Sequence, residues 1–202
     1  MAGKIFCIIG KSATGKDTLY AKLLRVSSMI DEPYRLCPLV TCTTRPIRPG
    51  ETNGKEYHFV TEEELNRLEE MGKVIEHRVY HTVHGDWHYF TTNDAVGPND
   101  NYITIATLDS FKKLRNYYGE DKVLPIYITV SDDCRLIRAI EREKRQGTND
   151  YSEVCRRYLA DEADFSEEIL NDCGITEGIV NDNLDDCFYR VLNIISKEIL
   201  GK

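Results

Sequence analysis

Five consecutive apolar residues, Ile5 to Ile9, are followed by a Gly-containing turn and a segment from Lys16 in which Leu19, Leu23 and Leu24 recur at helical spacing. The unbroken run predicts a buried strand and the later spacing an amphipathic helix, so the chain begins strand, loop, helix. Thr61 followed by Glu62, Glu63 and Glu64 marks another helix start: the hydroxyl can cap, acidic side chains suit the positive first turn, and Gly72 closes the segment. Tyr102 to Leu108 and Leu124 to Val130 are rich in β-branched and aromatic residues and predict two strands, joined through Ser110 to Tyr118 as in a βαβ crossover. From Asp132 to Gln146 the pattern is helical, with charge so dense over Glu141 to Arg145 that the helix is expected to leave the core. Gly147-Thr148-Asn149-Asp150 breaks it, and a second charged helix begins near Tyr151. Ile179-Val180 predicts a short strand, and Leu184, Cys187, Phe188, Val191, Leu192, Ile195 and Ile199, three and four apart, predict a last helix with one face on a sheet. Strands alternating with helices, with no internal repeat, imply an α/β fold.

Composition narrows the classes of function. Twenty-six Lys and Arg against thirty-four Asp and Glu leave 202 residues at net charge −8, with 41% hydrophobic residues, which suits one globular domain able to bury its own core. The acidic balance argues against a nonspecific nucleic-acid binder, which needs many cations to displace counterions from phosphates. The apolar run near the start is too short to span a bilayer and carries no signal-cleavage pattern, so a cytoplasmic protein without a membrane partner is expected. Cys7, Cys37, Cys42, Cys134, Cys155, Cys173 and Cys187 are odd in number and form no C-x-x-C pair. They read as reduced thiols, several of them small core residues, with no catalytic role.

Between the first strand and helix lies Gly10-Lys11-Ser12-Ala13-Thr14-Gly15-Lys16, which matches the first seven positions of a phosphate-binding loop in the required context. Backbone N–H groups of such a loop point at phosphate oxygens, the helix N-terminus adds its positive end, and Lys16 would reach the outer phosphates. Asp17 stands where a hydroxyl residue usually follows the lysine, and the hydroxyl comes one place later at Thr18. Thr18 can still touch a phosphate or Mg²⁺, whereas Asp17 can bind metal through water or cap the helix.

A second anion site is suggested by TCTTRPIRPGETNGKEY, from Thr41 to Tyr57, where Arg45 and Arg48 flank a Pro- and Gly-rich turn. Two guanidinium groups on one turn suit a phosphate, Glu51 can orient one of them, and Tyr57 can donate its hydroxyl; the alternative is a solvated loop with surface ion pairs. The pattern T-x-T-T-R-P-x-R-P-G-E-x-x-G-x-x-Y-x-F resembles the GMP-binding segment of guanylate kinases. The resemblance runs from Lys4 through Val180-Asn181-Asp182-Asn183-Leu184-Asp185 to the final helix.

Carried over by position, the resemblance gives Arg45, Arg48 and Tyr57 to the GMP phosphate, and Thr41 stands where the family has a guanine-contacting serine. Glu76 matches the glutamate that accepts from guanine N1 and its exocyclic amine, an edge adenine lacks. Tyr89 and Thr91 match a Tyr-Gly-Ser/Thr element touching phosphate and base, with Phe90 in place of the glycine. Arg138, Arg142 and Arg157 resemble lid arginines that close over the transferring group, with Arg135, Arg145 and Arg156 as rivals and a salt-bridged solvent face as the alternative. Asn181 matches a residue near the donor adenine, or is a local cap. Two departures stand out. Thr104 and Ala106 occupy positions where the family has aspartates that position GMP and metal, with Asp109 slightly later. The stretch from Glu76 to Tyr89 is longer than usual and holds His77, His81, His84 and His88, with His58 upstream. A hairpin there would scatter these histidines over both faces, so no zinc site is predicted.

The resemblance implies a P-loop three-layer α/β/α core around a parallel sheet (about 1–40, 92–134 and 160–202), an inserted mixed-β GMP-binding subdomain (about 41–91) and a helical lid (about 135–159). It also implies a kinase moving the ATP γ-phosphate, with Mg²⁺, onto GMP or dGMP, in a monomer or homodimer. The alternatives are a P-loop kinase of another small phosphorylated acceptor and a noncatalytic guanylate-kinase-like module that binds proteins.

Overall fold

The central strand is Ile5–Ile9 (β1), whose five residues are all buried. Its alternating side chains serve two cores. Phe6 and Ile8 pack with Leu19 and Leu23 of Lys16–Ser27 (α1) and with the apolar face of the last helix, while Ile5, Cys7 and Ile9 pack with Phe111 and Leu114 on the opposite side. A strand buried on both faces has no polar position to offer, which is why its sequence is an apolar run rather than an alternation. The computed structural model describes residues 3–30, 34–82, 85–147 and 149–201; Val83 and His84 of the expected hairpin and Thr148 of the expected break lie outside them.

Leu36–Pro38 (β2), then Cys42–Thr43 (β3) and His58–Phe59 (β4), precede the helix Glu62–Glu70 (α2), in which the Thr61 side chain accepts from the Glu64 N–H as the sequence predicts. Val74–Thr82 (β5) and Gly85–Thr92 (β6) form an antiparallel hairpin. Asn101–Ile105 (β7), Leu108–Tyr118 (α3) and Val123–Thr129 (β8) make the crossover. Asp132–Gln146 (α4), Tyr151–Asp164 (α5), Glu167–Asp172 (α6), Ile179–Val180 (β9) and Leu184–Leu200 (α7) complete the chain. One sheet has the order β2-β7-β1-β8-β9 with parallel pairings throughout, and a mixed sheet has the order β4-β3-β6-β5. The expected α/β core and inserted mixed sheet are both present. Among the described residues, no helix is long and apolar enough to cross a membrane.

Two expectations need correction. The strand expected to reach Leu108 ends at Ile105, because the Thr107 side chain accepts from the Ser110 N–H and starts α3 there, so Leu108 meets the core from a helix. Among the histidines, His77, His81 and His88 lie on one face of the hairpin rather than on both. The register pairs His77 with Phe90, Val79 with His88 and His81 with Asp86, which joins odd positions of β5 to even positions of β6. His77 Nε2 and His88 Nδ1 come within 2.7 Å, and His81 pairs with Asp86. The cysteines follow the expectation: Cys7, Cys42, Cys173 and Cys187 are buried, Cys155 is exposed, and all seven are free thiols.

Phe90 explains its own presence. It is fully buried with Cys42 and Leu65, filling the space between the mixed sheet and α2. Phe90→Ala is expected to cost about 3–5 kcal/mol and to lower the melting temperature by on the order of 10 °C, measured by calorimetry.

Candidate active site

The Gly-rich loop leaves β1 at its carboxyl end, between neighbours β7 and β8, and enters α1. Its backbone is fixed by three positive-φ residues, Gly10 at 157°, Ala13 at 62° and Gly15 at 88°. Gly15 is required: a β-carbon there would sit 2.5 Å from Asn181 Nδ2, the atom that donates to the Thr14 carbonyl at 2.7 Å. Asn181 is thus a buried brace under the loop, and the cap of α7 is Asn183. Lys16 Nζ donates to the Lys11 carbonyl at 2.7 Å. Burial pulls its pKa down to about 8, opposed by Asp17 and Asp161 and reinforced by Arg135 and Arg142. Asp17 makes no side-chain cap, and both it and Thr18 are exposed at the start of α1.

Across the loop stands α5. Asp161 Oδ2 accepts from the Ser12 N–H at 2.7 Å, and Glu162 Oε1 accepts from Lys11 Nζ at 2.6 Å. Arg135, 1% exposed, holds this acidic pair: Nη1 donates to Asp161 at 2.9 Å and Nη2 to Glu162 at 2.6 Å and Asp132 at 3.0 Å. Its guanidinium also lies 4.2 Å from the Tyr158 ring centroid. A buried guanidinium needs such partners, so Arg135 is the clamp between α4, α5 and the loop rather than a free lid arginine. Arg138 donates to the Asn181 carbonyl at 3.0 Å. Arg142 borders a small cavity with Ser12, Arg157 and Asp161. Arg157 donates to Glu153 at 2.7 Å, and Glu153, bonded first to Arg156 and then to Arg157, has its carboxyl held down to about 2.

A cleft of about 1040 Å³ separates α5 from the hairpin, and Ser12 of the loop lies on its wall with Thr41, Arg48, Tyr57 and Tyr89. Arg45 lies beneath this surface, 3% exposed, donating to the Pro46 carbonyl at 2.9 Å and to Glu51 at 2.7 Å. Glu51 also accepts from the Arg48 N–H at 2.7 Å, so one carboxylate shapes the turn that carries both arginines, and its own pKa is lowered chiefly by Arg45. Arg48 stacks 5.9 Å from the Trp87 ring centroid. Burial pushes the Tyr57 phenol up, Tyr89 adds to this, and Arg45 and Arg78 oppose it.

The hairpin turns Glu76, Arg78 and Tyr80 of β5 to the same side, paired with Thr91, Tyr89 and Trp87 of β6. Glu76 is buried and accepts from Thr91 Oγ1 at 2.8 Å and Ser110 Oγ at 3.0 Å. A carboxylate with two fixed hydroxyl donors and lone pairs to spare suits a planar group with two N–H donors.

A guanylate kinase family model matches residues 2–198. The chain belongs to the guanylate kinase family. Guanylate kinases of Sus scrofa and Homo sapiens are each 34% identical to it over 193 residues, covering 94% of this chain and 90% and 91% of theirs. That of Wolbachia pipientis wMel is 30% identical over 99% of this chain and 92% of its own. The crystal structure of guanylate kinase from Anaplasma phagocytophilum has the same fold, with TM-score 0.61 at 24% identity over 98% of this chain and 86% of that one.

Within this guanylate kinase family chain, Asp109 does not stand in for an acidic residue at Thr104 or Ala106: it is exposed on α3 and pairs with Lys113 at 2.8 Å. The next residue, Ser110, turns to Glu76 instead. Ser110, Arg78, Asp161 and Glu162 were not singled out in the sequence. Arg135 offered the one available signal, because a cation on the same helical stripe as Ala139 must find carboxylates elsewhere. Replacing Asp161 by Ala is expected to speed hydrogen exchange of the Ser12 amide about 10- to 100-fold, measured by NMR, through loss of a charge-assisted bond.

Proposed function

We propose that this chain transfers the γ-phosphoryl group of Mg-ATP to GMP, or dGMP, giving ADP and GDP. The observation that carries the reading is that one cleft wall includes both Ser12 of the phosphate-binding loop and the Thr41, Arg48, Tyr57 and Tyr89 group. Donor and acceptor phosphates bound at these two places face each other, as in-line transfer requires. The family's presence in pig, human and bacteria under the name guanylate kinase supports the same acceptor.

In this reading the backbone from Gly10 through Ser12, Ala13, Thr14 and Gly15 cradles the ATP phosphates, Lys16 neutralises the outer ones, and Asn181 holds the loop in shape. Thr18 and Asp17 present hard oxygen donors beside Lys16, a set that suits Mg²⁺ arriving on the nucleotide. The metal would supply charge neutralisation at the transferred group. Arg48 and Tyr57 bind the acceptor phosphate, Arg45 does so after release from the Pro46 carbonyl, and Glu51 keeps the turn formed. Tyr89 adds a hydroxyl beside Tyr57, while Thr41, Thr91 and Glu76 form the base end. Glu76 accepts the guanine N1–H and exocyclic amine, which adenine cannot match.

Arg138, Arg142 and Arg157 belong to a lid formed by α4 and α5, and residues 41–91 form the acceptor-binding subdomain. Closure exchanges Glu153 for substrate oxygens around Arg157 and moves Asp161 off the Ser12 N–H. No general base is required, because the acceptor phosphate is already an oxyanion near neutral pH.

ADP release should depend on GMP or dGMP and not on AMP, CMP or UMP, with Lys16→Ala as the blank. Glu76→Gln should raise the KM for GMP roughly 10- to 100-fold, from the loss of charge-assisted bonds. Turnover with another acceptor and not with GMP would contradict the reading. Because Lys16 sits at about 8 and a triphosphate favours its charged form, Mg-ATP binding above that pH must take up a proton. Affinity should therefore weaken by up to about tenfold per pH unit above 8. Titration calorimetry from about pH 7 to 9.5 checks this, with Lys16→Met giving a weak, flat profile.

A further inference from the structure

Glu76 has 1% of its side chain exposed and adds no surface to the cleft, whereas Arg78, two residues on and 20% exposed, lies on the cleft wall. Arg78 Nε is 3.2 Å from Glu76 Oε2 and its Nη2 is 3.4 Å from Oε1. The carboxylate therefore has two kinds of partner. Thr91 and Ser110 approach from buried positions at 2.8 Å and 3.0 Å, one to each oxygen. The Arg78 bonds are the long pair, well beyond the roughly 2.7–2.9 Å usual for a guanidinium on a carboxylate. They are also the pair on the cleft side.

The chemistry of the displaced and displacing groups matches. A guanidinium offers a carboxylate two parallel N–H donors from a planar frame, and guanine offers the same arrangement through N1–H and its exocyclic amine. Adenine has an acceptor at N1 and cannot replace that fork. We propose that Arg78 is a built-in competitor at the acceptor site, an internal counterpart of guanine that occupies the Glu76 oxygens in the empty cleft, is displaced only by a base with two matched donors, and so lowers the affinity for guanine. The proposal rests on the reading of Glu76 as the guanine carboxylate.

Such an exchange has a direction. Guanine restores both bonds that Arg78 gives up, so displacement costs only the difference between two similar pairs. A base without the donor pair would leave a buried carboxylate unmatched on its cleft side, and it therefore binds with the Arg78–Glu76 pair still formed. Removing the competitor should then help guanine and leave adenine where it was. Trp87, the single tryptophan of the chain, lies on the same cleft wall and can report binding by fluorescence.

The test uses nucleosides, which leave the phosphate end out. Guanosine and adenosine are titrated into the full chain, Arg78→Met, Arg78→Lys and Glu76→Gln, with melting curves to verify folding. Arg78→Met should bind guanosine about fivefold more tightly and adenosine unchanged. Arg78→Lys, which keeps the charge without the fork, should fall between the two. Guanosine affinity that is unchanged or weaker in Arg78→Met overturns the proposal, as does an equal change for both nucleosides, which would mean a structural effect. Glu76→Gln separates the two levels. If guanosine binding is indifferent to that substitution, the base-reading role fails; if it weakens while Arg78→Met brings no gain, the exchange alone fails.

Discussion

A cleft that handles two phosphorylated nucleotides must gather cations and anions at partly buried positions, and a buried charge is costly unless it is paired. In this chain those groups already have protein partners. Asp161 lies on the Ser12 N–H, Glu153 on Arg157, Glu51 on Arg45 and Arg78 on Glu76. Each of these pairs joins a group with the chemistry to bind a nucleotide to a protein group that imitates a part of one. In the proposed function, carboxylates hold the places of phosphates and a guanidinium that of a guanine edge.

The frame that makes these pairs possible is stiff. β1 is sealed between β7 and β8, and its carboxyl end delivers the Gly-rich loop to the edge of the cleft. The hairpin is a second rigid platform, whose register sends Glu76, Arg78 and Tyr80 to one side while Phe90 anchors the other in the small core with Leu65. Between them, α5 is held against the loop by Arg135 through Asp161 and Glu162. Substrate binding in this account is an exchange of partners between platforms that keep their internal packing.

Much of this was legible in the sequence, and the limits have physical causes. The apolar run of β1, the Thr61 cap, the full span of α4, the start of α5 and the packed face of α7 follow from periodicity and capping, which are local. β3, β4 and β9 have two residues each, and of these only β9 was read, because two residues carry almost no period. The loop and the Arg45–Tyr57 segment were legible because their chemistry is contiguous. Asp161 on Ser12, Ser110 on Glu76 and Arg135 in its acidic cluster join residues 149, 34 and up to 27 positions apart, so no local pattern marks them. Arg78 was hidden for another reason: beside Glu76 on a strand it resembles an ordinary surface ion pair until the structure shows the glutamate buried and Arg78 on the cleft wall.

In the proposed function, nucleotides take over groups that now pair with one another on either side of the cleft. A crystal structure of the full chain with GMP and ADP bound tests it most directly. Guanine N1 and the exocyclic amine are expected within about 3 Å of the Glu76 oxygens, with Arg78 turned away and Asp161 no longer on the Ser12 N–H. GMP bound elsewhere, or seated in the cleft with the Arg78–Glu76 and Asp161–Ser12 contacts both intact, would contradict it.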